Sequence, residues 1–598
     1  MSEKQFETLP PNGQKKKRSF LARRLNTLVA LFVILAVLVA GYFFMKSFLK
    51  EEMETPTTTE ETFELLPGEV KSENGKNLFI FPSVDQKDIS QVLIHNPSLK
   101  SSSPDYVDWG IEFLYDKENN RSIGYVIGHS EDLILDETHL TLFVAAAGNM
   151  LFSRRVVDVC EDYSIYGLSE EDATRVELKT ANGEVYTVYI GKLNPSGTAY
   201  YARSGDTVTD QNGNPYERKS VYLLTNGTTS YVQSTLTAPP TDMLSTLMAY
   251  PVNPEIGFSS FELFSVDKSI AISLRPRSAV LTAEKLFGGS FNYYAVEPAG
   301  YFASTTFDTR IDVFEMFQGD KVMEYGTKLV TGTDDDGKEY TLYDFETDVL
   351  VKYGLDATRV QYIMRFSAKQ EESATPIESE IWFSALQPDG YYYARSLMFN
   401  TIVRVDPQTV DFLGWKTVDF LDAYALRLNI GNAAKLTLKG KINGNLFEES
   451  FVPSSQFDGS EYIVKSVRAE KLNKQLSMTY YRELFRELLS ITLQGSVPED
   501  LDKEALLQTE PYFEMRIETP KYNKCDKFPD GLESVTRVLR FYQYTNGRAL
   551  VTVEMIDASG KSSGQSGSFY VRVSRLDKLL SDAQKLCNGE EFSYRDKE

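Results

Sequence analysis

Apolar and polar positions alternate in three different ways along this chain. From Leu25 to Met45 no charged residue occurs over about 21 positions, which at about 1.5 Å per residue crosses a hydrocarbon core of about 30 Å. Lys15, Lys16, Lys17, Arg18, Arg23 and Arg24 precede this run, and Lys46 and Lys50, then Glu51, Glu52, Glu54, Glu60 and Glu61, follow it. Basic residues stay on the cytoplasmic side. The pattern therefore predicts an uncleaved transmembrane anchor with the amino terminus inside, the body outside, and the lipid bilayer as partner through Leu25 to Met45. A cleaved signal peptide has a shorter apolar core and a small-residue cleavage site, and Leu38-Val39-Ala40 is a poor one.

From about Asp85 the period changes to two. QVLIH (91–95), GIEFLY (110–115) and SIGYVI (122–127) read as short strands. A helical period follows, with Asp136 as N-cap and Leu140, Phe143, Val144 and Ala147 on one face. Strand patterns then resume. VELKT and EVYTVYIG flank Asn182-Gly183, a strong hairpin signal.

The order of pieces in this part recurs. Tyr166-Gly167-Leu168, Ala173 to Val176 (ATRV), Leu193-x-Pro195-x-Gly197 and Tyr200 to Arg203 (YYAR) reappear as Tyr353-Gly354-Leu355, Ala357 to Val360, Leu386-x-Pro388-x-Gly390 and Tyr392 to Arg395. An internal repeat takes precedence over other fold arguments. A weaker third copy has a helix at Met478 to Leu489, with Tyr481, Leu484, Phe485 and Leu488 on one face. It continues with a strand at 511–517, a hairpin about Asn546-Gly547, and Phe569 to Arg572 in the place of YYAR. A terminal helix is expected over Leu576 to Leu586. In YYAR, alternation puts one Tyr against the helix and the Arg outward in solvent.

These patterns give an α+β fold: a transmembrane helix followed by three tandem modules, each an antiparallel sheet with a packed amphipathic helix. The expected segments are a basic cytoplasmic tail at 1–24, the anchor at 25–48 and a stalk at 49–84. Modules are expected at 85–238, 239–415 and, in divergent form, 416–598. Boundaries are expected near Ala238-Pro239-Pro240 and Trp415.

Composition adds limits. The net charge is −22, and 42% of residues are hydrophobic. That is enough apolar material for folded cores, and the acidic balance argues against nucleic acid as a partner. Of three cysteines, Cys525 and Cys587 could pair or remain free thiols, and Cys160 would then be left over.

Candidate chemistry is sparse. His95, His129 and His139 all lie in the first module without metal-ligand spacing, next to Asp132 and Asp136 as the other ligand candidates. Their expected places are a strand end, a turn and a first helical turn. Asp334 to Gly337 and Asp210 to Asn214 read as hairpin turns, since their glycine and carboxylate spacing does not fit a calcium loop. No phosphate-binding glycine motif and no G-x-S-x-G occur. The expected catalytic, cofactor-binding and metal residues are therefore none, and no cofactor is expected. Paired acids such as Glu170 with Glu171, or Glu371 with Glu372, read as solvated faces.

The segment from Asp88 to Val232 resembles the domain of unknown function 4340 family. The resemblance rests on DISQVLIHN, the helix after SEDLILDE, YGLSEEDATRVELKTANGEVYTVYIGKLNPSGTAYYAR and SVYLL. It implies extracytoplasmic modules on a single membrane anchor. It also implies a role as auxiliary component of a gliding-type ABC export system, beside a permease and an ATPase. The expected function is a non-enzymatic binding or scaffold protein of the cell membrane, with an ABC-type permease or a cell-envelope polymer as partner. The alternative is a cell-envelope hydrolase or glycan-modifying enzyme with a cryptic carboxylate site.

Overall fold

The computed structural model describes residues 64–595, apart from 73–74, 117–120, 130–132, 225–231, 233, 280–283, 288–290, 334–338, 372, 460 and 526–527. The expected anchor at Leu25 to Met45, the basic tail and most of the stalk lie outside the described residues. Among the described residues, no helix is long and apolar enough to cross a membrane.

Antiparallel sheets with a few helices make up the body. The first sheet contains β1 (Val70–Lys71), β2 (Leu78–Phe79), β3 (Ile89–His95), β4 (Asp108–Asp116), β5 (Arg121–Val126), β6 (Phe152–Val157), β7 (Thr174–Thr180), β8 (Val185–Leu193), β9 (Tyr200–Ser204) and β12 (Val221–Leu224). The strands β10 (Thr207–Thr209) and β11 (Pro215–Glu217) form a separate hairpin.

The second sheet contains β13 (Phe258–Ser265), β14 (Ala271–Pro276), β15 (Tyr293–Glu297), β16 (Tyr301–Phe302), β17 (Lys321–Tyr325), β20 (Tyr362–Ala368), β21 (Ile377–Phe383), β22 (Tyr392–Ser396) and β23 (Thr401–Val405). Here β18 (Lys328–Thr333) and β19 (Glu339–Asp344) pair apart as a hairpin. The third sheet contains β24 (Lys435–Ile442), β25 (Asn445–Phe457), β26 (Tyr462–Ala469), β27 (Lys474–Leu476), β28 (Gly495–Ser496), β29 (Phe513–Glu518), β30 (Thr536–Thr545), β31 (Arg548–Ile556) and β32 (Ser566–Arg572).

The three sheets share one strand order. It runs β5-β4-β3-β7-β8-β9-β12-β6 in the first, β15-β14-β13-β20-β21-β22-β23-β17 in the second and β26-β25-β24-β29-β30-β31-β32-β28 in the third. Each adds strands at an edge: β2 and β1 beyond β6, β16 beyond β15, and β27 beyond β26. Helical structure precedes β6, β17 and β28 in each case, as Glu137–Gly148, as the short turns Thr305–Asp308 and Ile311–Met316, and as Met478–Leu489. Asp136 caps the first of these helices by accepting the His139 amide at 2.9 Å. The terminal helix, Val573–Asn588, is longer at both ends than the apolar pattern alone marks.

One face of each sheet contributes to a single apolar core that runs from Leu78 to Phe592. The period-two rule sends the intervening residues to the opposite face. The connections between sheets contain Ala238-Pro239-Pro240 and Trp415, and they are packed too. Leu135 bridges Leu244 between the first and second sheets, and Arg537 donates to the Gly300 carbonyl at 2.8 Å between the second and third.

Two expectations change. The stalk read over 49–84 ends earlier, because β1 and β2 join the first sheet and Ile80 and Phe81 are buried in its core. The anchoring contact is ionic. Arg155 donates to Glu69 at 2.6 Å and 2.8 Å, and the Tyr222 hydroxyl donates to Glu69 at 2.7 Å. The polar look of this stretch conceals that pairing.

The second change concerns the third copy. Phe569 to Arg572 lies in β32, the counterpart of β12 and β23, whereas YYAR lies in β9 and β22, whose counterpart is β31. An aromatic-Tyr-x-Arg strand keeps its alternation when displaced by one strand, so the pattern does not distinguish the two places. The three cysteines are free thiols; Cys160 and Cys587 are buried, and burial pushes the Cys587 thiol up to about 11.

Candidate functional site

The repeated motifs build a small second core on the face of each sheet that the main core leaves open. In the first module, Tyr163–Tyr166 forms a turn closed by Gly167, whose φ is 67°. This turn folds back over the sheet, burying Leu168 against Val221 and Cys160. In the second, the helix Thr347–Tyr353 ends at Gly354 with φ 68°, and Leu355 is buried with Phe345 and Ile402. In the third, the helix Lys503–Leu507 takes the same place between β28 and β29 and covers Tyr542 and Leu550. The left-handed residue is glycine because a Cβ costs energy there.

The Arg of YYAR is not the solvated outward group that simple alternation suggests. Arg203 lies 3.6 Å over the Tyr189 ring and donates to the Leu168 carbonyl at 3.1 Å. Arg395 is 15% exposed and donates to Asp344 at 2.5 Å, between Phe345 and Trp382. Burial lowers its pKa against the opposing pull of Asp344. The capping segment, invisible to strand periodicity, covers it.

Charged pairs cover the rest of the outer faces. On the second sheet Arg275 meets Glu262 at 3.0 Å and Arg365 meets Glu380 at 2.7 Å. These groups line a shallow pocket of about 430 Å³. On the first sheet His95 contacts Asp108 at 2.6 Å, near Arg175 and Glu177.

The structure does not gather the three histidines into one site. His95 ends β3. His129 follows a turn and is buried against the rings of Tyr343 and Tyr325, with centroids at 4.0 Å and 5.5 Å. His139 sits in the first helical turn beside Asp136. Among the described residues, no group of His, Cys, Asp and Glu is arranged to hold a metal ion. Asp210 to Asn214 is a turn in which the Asp210 carboxylate accepts the Asn212 and Asn214 amides at 2.8 Å and 2.7 Å. Asp334 to Gly337 lies outside the described residues. Burial raises the carboxyl pKa of Asp206 and of Asp308, which lie in different modules.

Sequence reasoning missed a concavity between two modules. A cleft of about 740 Å³ opens at the junction of the second and third sheets. Trp415, Arg310, Asp411, Asp422, Arg427 and Gln494 line it. Arg310 pairs with Asp411 at 2.5 Å, Arg427 pairs with Asp422 at 2.8 Å, and the Arg427 guanidinium stacks on Tyr424 at 3.9 Å. Arg310 and Asp411 lie 101 positions apart in the chain, and no local signal links them.

Residues 127–214 match the family described as Domain of unknown function (DUF4340). The match begins after β5 and covers the helix Glu137–Gly148 together with β6, β7, β8 and β9. It is narrower than the resemblance read from Asp88 to Val232. No curated protein matches the chain.

Proposed function

We propose that this chain is a membrane-anchored extracytoplasmic binding or scaffold protein, acting as the auxiliary component of a gliding-type ABC export system with an ABC-type permease as partner. The observation that supports this reading most is the repetition itself. Three sheets of one strand order share one core and present outer faces covered by paired charges. A surface of that kind suits lateral contact with a partner, since complementary charges set register more than raw affinity.

The alternative of an envelope hydrolase needs two carboxylates whose environments push their pKa values apart across a cleft. Asp411 and Asp422, the carboxylates beside the two cleft arginines, are each held by an arginine instead. Crosslinking of the full-length chain in cells, followed by purification in detergent, tests the proposal. A six-span permease in the crosslinked product is the expected result. Recovery of the chain from the soluble fraction, or repeated capture without a permease, would overturn it.

A further inference from the structure

We infer that the cleft between the second and third sheets is a saccharide-binding site for a neutral segment of a cell-envelope polysaccharide. This inference rests on the extracytoplasmic reading above and adds a ligand class to it.

Three observations converge. The cleft volume of about 740 Å³ falls within the range of about 300–1,000 Å³ typical of ligand sites, and it lies at a junction between folded units, where such sites concentrate. Its lining combines an indole, Trp415, with hydroxyl and amide groups from Ser304, Thr306 and Gln494. A pyranose presents an apolar C–H face and a polar rim of hydroxyls, and this lining offers a partner to each. Arg310 with Asp411 and Arg427 with Asp422 form closed pairs that display donors and acceptors side by side, and the remaining carboxylate, Asp419, accepts the Lys416 amide at 2.8 Å. An anionic ligand would have to displace a carboxylate from its arginine, so a neutral polyol is favoured.

A peptide fits less well. Extended peptides bind by adding to a sheet edge or by placing side chains in apolar pockets. This cleft is walled by turns and ion pairs.

The chain has three tryptophans, and Trp415 alone lines the cleft. The full-length protein in detergent is titrated with chitotetraose and with cellotetraose, and tryptophan emission is followed. A saturable change with at least one probe is expected. It should be lost in Trp415→Phe. It should be weakened at least tenfold in Thr306→Arg, a substitution at an exposed helical turn that fills the cleft from its rim. Circular dichroism and thermal melting verify that both variants fold.

No saturable change with either probe in the folded protein would overturn the inference. So would a change that survives Thr306→Arg, or stronger binding of an uncharged peptide of similar size. Crosslinking to a permease should be unaltered in Thr306→Arg, so failure of saccharide binding and failure of the export-linked reading are separately visible.

Discussion

The rings of Tyr353 and Tyr393 pack with their centroids 4.9 Å apart, and those of Tyr166 and Tyr201 pack at 4.8 Å. In both modules the first tyrosine belongs to the capping segment that precedes β7 or β20, and the second to the YYAR strand. The pair pins the capping segment to the outer face, and an aromatic pair of this kind is worth about 0.5–1.5 kcal/mol beyond the area it buries. The shared motifs therefore mark one structural device used twice.

Gly354 sets the hinge of that device. Its φ of 68° suits glycine, and an L-residue there costs about 1–2 kcal/mol. Gly354→Ala should lower stability by about that much. Hydrogen exchange should place the loss in residues 347–361 before the strands of the second sheet open. Uniform loosening of the sheet, with the cap still protected, would contradict this.

The Glu69–Arg155 pair holds the first strands to the body. Glu69 and Arg155 side chains are 0% and 7% exposed. Without Glu69, Arg155 keeps Asp158, at 2.5 Å, and the buried Tyr222 hydroxyl loses its Glu69 acceptor, a cost of about 1–3 kcal/mol. Glu69→Ala should detach β1 and β2, seen as early protease cleavage between residues 67 and 84. An unchanged cleavage pattern would show that apolar packing of Ile80 and Phe81 suffices.

Glu380 makes the stability of the second sheet depend on pH. The hydrogen bond from Arg365, opposed by burial and aided by Trp382, holds its carboxyl below the usual range. A depressed folded pKa means that the contribution is present above the unfolded value of about 4.3 and is lost as the pH falls through the folded value. Urea melts of wild type and Glu380→Gln should differ at pH 7 and converge only once the pH has fallen through the lowered folded value. A gap that persists in acid would assign the effect to packing.

Gly440 allows the terminal helix to approach the third sheet. A Cβ placed there would lie 2.6 Å from Leu580 Cδ1. Gly440→Leu should overpack this contact at about 1–3 kcal/mol. The helix Val573–Asn588 should then become the first segment released by limited proteolysis. Lys578 resists that release, because its ammonium donates at 2.8 Å to Glu487 of the helix Met478–Leu489. The double variant with Lys578→Met should lose the helix entirely. Retention of a protected helix in the double variant would count against this packing account.

Local chemistry made much of this chain legible. Met478–Leu489 is the helix that its apolar spacing predicts, and Tyr481, Leu484, Phe485 and Leu488 are buried as that spacing requires. Asn182-Gly183 and Asn546-Gly547 join paired strands, because their turn conformations are encoded within a few residues. The recurrence of YGL, ATRV and YYAR marked two modules, since each motif fills a fixed local geometry. What the sequence left open depends on partners remote in the chain. Glu69 is a buried anchor because Arg155 and Tyr222 fold onto it. Arg203 and Arg395 lose solvent because a capping segment returns over them. Phe569 to Arg572 takes its strand from neighbours that alternation cannot specify. The cleft at Trp415 exists only where three distant segments meet. Periodicity reports which face a residue occupies, and only tertiary packing decides what covers that face.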